Sequence, residues 1–346
     1  MKLRVILVVL SCLLSVIIGL VLARGGGDQP RGEARRLRLG LSMDTLKEER
    51  LQGDRDMFVR RAKELGADVE VLSANSDDTR QIKDVEALLT GGIDALVIIP
   101  HDGAAMARAV ELAHKEGVPV LAYDRLITGC DLDVYMTFDN VKVGELQAQF
   151  LIDRLGAGGG KKRIVRIYGS KTDNNAKLFK QGQDNILEPL IRSGAIVVVH
   201  EDWAQDWRPE NAKRIANAAI TKSPQFDAVL ASNDGTAGGA IQALTEEGLA
   251  GKVIVTGQDA ELAACQRIVA GTQSMTIYKP LARLANRAAE VAVKLARRQP
   301  VVAKAEMHNG KIQVPSVLLD VIAVTKENME ETVVKDGFHK REAIFQ

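Results

Sequence analysis

The sequence alternates short apolar runs with longer amphipathic segments from about residue 37 to residue 298. Ala95 to Ile99 is uniformly apolar, as expected of a strand that is covered by helices on both faces. The segment from Ala104 to Glu116 has helical spacing and ends at Gly117. Strands and helices that alternate in this way predict a parallel sheet with right-handed crossovers. We therefore expect an α/β fold.

The alternation restarts at Val134, and 346 residues are enough for two domains. We expect two doubly wound parallel-sheet lobes of similar layout. The helix predicted from Pro280 to about Arg298 comes late, while the first lobe is one helix short, so the chain should cross back and form a multi-strand hinge. The predicted lobes are 37–139 with about 280–305, and 140–279 with about 306–340, followed by a mobile tail.

The N-terminus has a short basic start and then an apolar run from Val5 to Ala23, about one membrane thickness if helical. Residues 1–23 are predicted to be an export signal, with Val21-Leu22-Ala23 as the cleavage site. An uncleaved membrane anchor and lipidation at Cys12 are the alternatives, the latter disfavoured because apolar sequence continues past it. All three place the folded part outside the cytoplasm, in the periplasm or beyond. Residues 24–36 are typical of a flexible tether.

Several predicted strands end in polar residues, most clearly where the run from Val118 to Tyr123 leads into Asp124 and Arg125. Alone, this pair could be a surface ion pair. Ligands of open parallel sheets, however, bind outside the carboxyl ends of the strands, and the pattern recurs. The other polar ends are Asp44 with Glu49-Arg50, Asp173-Asn174-Asn175, Asn233-Asp234, Gln258-Asp259 and Lys279-Pro280.

The residue types at these ends suit a sugar. Asp and Asn accept hydrogen bonds, Arg and Lys donate them, and neighbouring sugar hydroxyls need both. The only two tryptophans, Trp203 and Trp207, fall in one loop beyond a strand end and offer flat apolar surface for the C–H face of a pyranose. Packing beneath the loop is the alternative role, and it is favoured for Trp203 but not for Trp207.

Other functions find little support in the sequence. The net charge of +1 gives no bulk attraction to nucleic acid. The loop from Gly156 to Lys162 fails the spacing of a phosphate-binding loop, and nothing has nucleophile or metal-ligand spacing. A disulfide between Cys130 and Cys265 is not implied. A glycosidase carboxylate pair stays open, but each acid at a strand end adjoins an amide or a base, which favours binding over proton transfer. We expect no enzyme activity and no cofactor.

The chain resembles the ribose/galactose-binding group of periplasmic binding proteins, and within it the D-xylose-binding members that serve ABC transporters. The resemblance runs from about Leu37 to His339. The strings that carry it include Ala122-Tyr123-Asp124-Arg125, Asp173-Asn174-Asn175-Ala176, Ala231-Ser232-Asn233-Asp234, Gly257-Gln258-Asp259-Ala260 and Tyr278-Lys279-Pro280.

This resemblance implies a type I periplasmic binding protein fold and a monomer that delivers a monosaccharide, D-xylose, to an ABC permease by hinge closure. Family members often carry an aromatic residue where this chain has Leu51, so stacking is expected from Trp207 alone. The residues that match the family's sugar ligands are Arg50, Asp124, Arg125, Asp173, Asn175, Trp207, Asn233, Asp259 and Lys279.

A membrane-anchored receptor that signals to a sensor kinase is the alternative function. Such a receptor would share this fold and site, and it requires that the leader is retained as an anchor. A sugar-responsive repressor would need a DNA-binding helix-turn-helix before the first strand, where the leader lies instead.

Overall fold

The computed structural model describes residues 35–156 and 160–345. The predicted signal or anchor, the tether up to residue 34 and residues 157–159 of the glycine-rich loop lie outside the described residues. All elements given below belong to the unit that begins at Leu37. In the described ranges, no helix combines the length and apolar character needed to cross a membrane.

Strands and helices alternate through most of this unit. The strands are β1 (Leu37–Met43), β2 (Ala67–Ser73), β3 (Ala95–Ile99), β4 (Val120–Tyr123), β5 (Val134–Phe138), β6 (Lys162–Tyr168), β7 (Ile196–Trp203), β8 (Ala228–Ala231), β9 (Ile254–Val255), β10 (Thr276–Tyr278), β11 (Ala305–His308), β12 (Gln313–Leu319) and β13 (Ile322–Val324). The helices are α1 (Glu49–Glu64), α2 (Asp78–Thr90), α3 (Ala107–Lys115), α4 (Asn140–Leu155), α5 (Asn174–Arg192), α6 (Pro209–Lys222), α7 (Asp234–Glu246), α8 (Leu262–Ala270), α9 (Leu281–Ala296) and α10 (Arg341–Ile344). A short 3₁₀ turn covers Gln205–Trp207, and a π-helical turn covers Glu330–Val334.

The first lobe is a seven-stranded sheet with helices on both faces. Its strand order is β11-β12-β5-β4-β3-β1-β2, and all pairs are parallel except β11 with β12. Strand β3, in the interior of the sheet, is buried along its whole length. Helices α1 and α9 share one core with the sheet, and α2 and α3 share a second core on the other face. The α/β fold with parallel-sheet lobes is therefore confirmed.

The second lobe contains a four-stranded parallel sheet of order β7-β6-β8-β9. Helices α6 and α7 bury their apolar faces on one side of it, and α4 and α5 cover the other side. Strand β10 follows the end of this sheet and pairs antiparallel with β13. Each sheet has a point at which the direction of the strand order reverses. In the first sheet β3 lies beside β1 at this point, and in the second sheet β8 lies beside β6. Such a reversal opens a crevice at the carboxyl ends of the strands.

The chain passes between the lobes after β5, after β10 and after β12, because α9 returns to the first core before β13 pairs with β10. The prediction that residues from about 306 onward belong to the second lobe was wrong for β11 and β12. Both strands extend the first sheet, β12 alongside β5. The expected mobile tail was also wrong, because Met329, Val333 and Ile344 pack with Cys265 and other residues of the second lobe.

Helices α4 and α5 cross at two glycines. A Cβ atom on Gly144 would overlap the carbonyl oxygen of Phe179, and one on Gly182 would overlap the carbonyl oxygen of Val141. The helices can pack this closely only where neither has a side chain.

We predict that Gly144→Ala lowers the free energy of unfolding by about 1–3 kcal/mol, the usual cost of overpacking, because the two helices must separate. The matched control is Gly53→Ala in α1, where the new methyl group would lie 3.7 Å from the nearest atom, Met57 Cε. That variant should gain about 0.5–1 kcal/mol from its helix propensity. Urea unfolding of both variants gives the comparison, and equal midpoints would contradict the close helix crossing.

Candidate functional site

All of the predicted site residues line one narrow cavity of about 20 Å³ between the two lobes. The first lobe contributes residues from the start of α1 and from the turn after β4, and the second lobe contributes residues that follow β6, β7, β8, β9 and β10. They are Arg50, Asp124, Arg125, Asp173, Asn175, Trp207, Asn233, Asp259 and Lys279. This volume is far below the about 300–1,000 Å³ of pockets for drug-sized ligands, so the two lobes lie closed on these side chains.

The lining also contains Glu48, Phe179 and Gln258, which were not among the predicted site residues, although Gln258 was noted at a polar strand end. Phe179 lies four residues after Asn175 on α5, so helical spacing places both on one face. Gln258 directly precedes Asp259 at a strand end, and Glu48 occupies the N-cap position of α1, two residues before Arg50. These spacings were available signals, but an isolated phenylalanine at helical spacing is usually a core residue.

The backbone turns sharply where three of the lining side chains leave it. Asp124, Trp207 and Asp259 have φ angles of 64°, 58° and 98°, a region that residues other than glycine seldom adopt. Hydrogen bonds hold two of these turns, with Asp124 N donating to Met136 O at 2.7 Å and Asp259 N donating to Ile277 O at 2.8 Å. Strain of this kind concentrates at functional sites.

Arg50 lies between carboxylates of both lobes. Its Nη2 is 2.5 Å from Asp124 Oδ1, its Nε is 3.3 Å from Asp54 Oδ2, and its Nη1 is 3.8 Å from Asp259 Oδ1 in the second lobe. Burial would raise the pKa of Asp124, but the charges of Arg50 and Lys279 hold it below the usual value. Asp124 therefore remains a charged hydrogen-bond acceptor.

Arg125 makes the second ion-pair cluster across the cleft. Its Nη1 is 2.6 Å from Asp44 Oδ2, its Nη2 is 3.3 Å from Glu48 Oε1, and its Nε is 3.0 Å from Asp173 Oδ2 of the second lobe. Burial raises the pKa of Asp173, and Arg125 opposes that rise. Burial also raises the pKa of Glu48, to about 7, although 27% of its side chain is exposed.

Aromatic rings form one side of the cavity. Trp207 is 7% exposed and donates from Nε1 to Asp173 Oδ2 at 3.1 Å. Its ring meets that of Phe179 edge-on, with centroids 6.1 Å apart. Trp203 does not line the cavity and packs on Tyr168, with the two ring centroids 4.8 Å apart. Leu51 is likewise absent from the lining, because it is buried in the core of the first lobe.

The deepest cation of the cavity, Lys279, is 1% exposed. Its Nζ lies 3.5 Å from Asp259 Oδ1 and 5.2 Å from the centre of the Phe179 ring, yet among the described residues it has no hydrogen-bond partner. Burial and the charge of Arg50 lower its pKa, whereas Asp259 and Asp124 oppose the shift. Gln258 Oε1 is also buried and unpartnered. Unpaired buried polar atoms are costly, and a polar ligand that forms hydrogen bonds to these two atoms would remove that cost.

Helix α4 supports the turns that follow β8 and β9. Gln147 on α4 is fully buried and donates from Nε2 to Ser232 O at 3.1 Å and to Gly257 O at 3.0 Å. These two carbonyl groups precede Asn233 and Gln258. One amide thus ties together the turns after β8 and β9, which lends rigidity to the side chains that they present.

Comparisons with known proteins agree with this fold. The family model described as a periplasmic binding protein domain matches residues 39–300. The D-xylose-binding periplasmic protein of Haemophilus influenzae is 52% identical over 310 residues, which cover 89% of this chain and 92% of the relative. The protein of the same description from Escherichia coli K12 is 50% identical, with 89% and 92% covered.

Solved structures show the same architecture. A carbohydrate transporter solute-binding protein from Chloroflexus aurantiacus, determined in complex with D-glucose, is 34% identical and superimposes with a TM-score of 0.83. The match covers 89% of this chain and 98% of that protein.

The position of Trp207 can be tested by a substitution at Gly169, because a Cβ atom at this glycine would overlap the Trp207 ring. We predict that Gly169→Ala displaces the indole, breaks its hydrogen bond to Asp173 and shifts the fluorescence emission of Trp207 to longer wavelength. A Trp203→Phe background isolates the signal. Gly235→Ala is the control, because the nearest atom to its added Cβ would be 3.7 Å away. Identical spectra for the two variants would disprove the contact.

Proposed function

The chain belongs to the periplasmic binding protein family, and on that premise we propose that it binds D-xylose outside the cytoplasm and delivers it to an ABC permease. In this proposal it acts as a monomer, without catalysis and without a cofactor. The relatives that are about half identical are described as D-xylose-binding. The C. aurantiacus structure holds another aldose, D-glucose, in the same fold.

The observation that carries the proposal is the convergence of buried donors and acceptors from both lobes on one small cavity. Arg50, Arg125 and Lys279 supply donors, whereas Asp124, Asp173 and Asp259 supply acceptors, all of them almost fully buried. A sugar hydroxyl both donates and accepts, so adjacent hydroxyls can satisfy such a mixed set. Hydrogen bonds to charged groups are the strong kind, which suits selection by hydroxyl configuration.

Trp207 and Phe179 complete the recognition. The flat face of Trp207 offers apolar contact to the ring C–H groups of a pyranose, and Phe179 extends that wall towards Lys279. The first lobe contributes only charged residues to the described lining, so no aromatic partner faces this wall. We infer that one aromatic wall supplies apolar contact while the ion-pair clusters determine orientation.

Closure would couple binding to delivery. The sugar contacts residues of both lobes, so it binds the closed form more tightly than an open one and shifts the equilibrium towards closure. The permease would then recognise the closed arrangement of the two lobes.

We expect isothermal titration calorimetry of the purified protein to show saturable one-to-one binding of D-xylose, stronger than binding of D-ribose, L-arabinose or D-glucose. A thermal-shift screen should rank the same sugars in the same order, because ligands that bind only the folded state raise stability. Binding of none of these monosaccharides would refute sugar binding, and a clear preference for another one would refute D-xylose as the ligand.

We predict that Asp259→Asn weakens binding of D-xylose by about 2–5 kcal/mol, because it leaves the buried cations Arg50 and Lys279 with one carboxylate fewer. Asparagine tolerates the left-handed backbone at this position, so the turn should persist. Asp153→Asn, on the exposed surface of α4, is the matched control and should bind like the wild type. Unchanged affinity in Asp259→Asn would remove Asp259 from the site.

A further inference from the structure

His101 lies between the two lobes, beside the cavity but outside its lining. Its Nδ1 is 3.0 Å from Asp44 Oδ1 and its Nε2 is 3.9 Å from Asp206 Oδ1. Asp44 follows β1 of the first lobe, whereas Asp206 belongs to the 3₁₀ turn after β7 of the second lobe. One imidazole ring therefore faces carboxylates of both lobes at once.

The position of His101 is fixed by the first lobe. Its backbone N–H donates to Gln81 Oε1 at 2.9 Å, and Gln81 Nε2 donates to Ile99 O at 2.8 Å. Gln81 is fully buried, and the His101 side chain is 13% exposed. The ring is thus held at the edge of the first sheet, where it can contact the other lobe only if the lobes are closed.

Both partners of His101 are connected to the sugar cavity. Asp44 pairs with Arg125, which lines the cavity. Asp206 directly precedes Trp207, and these two consecutive residues have φ angles of 54° and 58°. Two left-handed residues in a row are strained and persist only where other contacts hold them. Trp207 is held by Asp173, and His101 is the group that faces Asp206.

We propose that protonated His101 is a positioning residue, a latch that holds the Trp207 turn against the first lobe when the protein closes on its sugar. The ring touches no ligand and acts through Asp206 on Trp207. This inference rests on the proposed function, because it assigns a means of control to the same site.

The charges around His101 determine how this latch depends on pH. The adjoining carboxylate of Asp44 raises the pKa of His101, burial opposes the rise, and the charges of Asp78 and Asp206 add to it. Asp78 is the first residue of α2 and lies near Asp102, while Arg125 faces Asp44 from the cavity side.

Only Asp206 belongs to the second lobe, so closure adds its charge to the environment of His101. The pKa is therefore higher in the closed form than in the open form, and closing favours uptake of a proton. The contribution of the latch to sugar affinity is complete at low pH and is lost as pH rises through the closed-form pKa.

Calorimetry with D-xylose between about pH 5 and pH 8, the range in which histidine titrates, tests the proposal. The affinity of the wild type should fall about two- to fivefold as pH rises, the range of a partly exposed ion pair. His101→Gln should bind about as weakly at low pH as the wild type does at high pH. Asp206→Asn should bind D-xylose with the same affinity as His101→Gln. The variant that carries both substitutions should bind no more weakly than either single variant.

His114→Gln is the matched control, because His114 Nε2 pairs with Asp133 Oδ2 at 2.8 Å entirely within the first lobe. Its affinity should follow the wild-type dependence on pH. Glu48 lines the cavity with a pKa of about 7, so it titrates in the same window. A pH dependence that persists unchanged in His101→Gln would assign the effect to other groups and overturn the latch.

A titration of the imidazole by nuclear magnetic resonance separates the latch from the choice of sugar. The pKa of His101 should be higher with saturating D-xylose than without it, and lower in Asp206→Asn than in the wild type. Failure of the wild type to bind D-xylose would refute the proposed function by itself. An equal His101 pKa in the wild type and in Asp206→Asn would refute the latch whether or not xylose binds.

Discussion

The ion pair between Arg125 and Asp173 is the contact on which the site depends. Arg125 leaves the carboxyl end of β4 in the first lobe, and Asp173 follows β6 in the second, with Nε and Oδ2 3.0 Å apart. Asp173 also accepts from Trp207 Nε1 and from the backbone N–H of Asn175. One carboxylate therefore joins the lobes, fixes the indole and caps α5. The planar guanidinium suits this role, because its Nη groups donate to Asp44 and Glu48 while its delocalised charge lies beside Asp173.

The energetics of these buried pairs explain why closure can respond to a ligand. Taking two charges out of water costs several kcal/mol for each ion, so a buried ion pair contributes little net stability on its own. The contacts of Arg50 and Arg125 across the cleft therefore specify how the lobes meet more than they hold them shut. Lys279 and Gln258 retain unpartnered buried atoms in the same cavity. Hydroxyl groups that satisfy those atoms would supply the free-energy difference between the closed and open forms.

Much of the fold follows from periodicity. The predicted bounds of β3 agree with the structure, and the helix predicted from Pro280 to about Arg298 is α9, because uniformly apolar strands and amphipathic helices have distinct repeats. The strand-end residues meet in one cavity because the carboxyl ends of parallel strands share an edge. The sheet that β12 joins could not be read from the sequence, since an apolar strand carries no mark of its neighbour. Phe179 was missed because its spacing from Asn175 equally describes a residue packed in the core.

The left-handed turns show why the orientation of the site lies beyond sequence patterns. A pattern search expects glycine at positive φ, yet Asp124 and Asp259 occupy that region with side chains that line the cavity. Each such residue costs about 1–3 kcal/mol, which the surrounding structure must offset. The hydrogen bonds from Asp124 N to Met136 O and from Asp259 N to Ile277 O are formed only once the strands are paired. The conformation that aims these carboxylates is thus a product of the assembled sheets, whereas their chemistry is already present in the sequence.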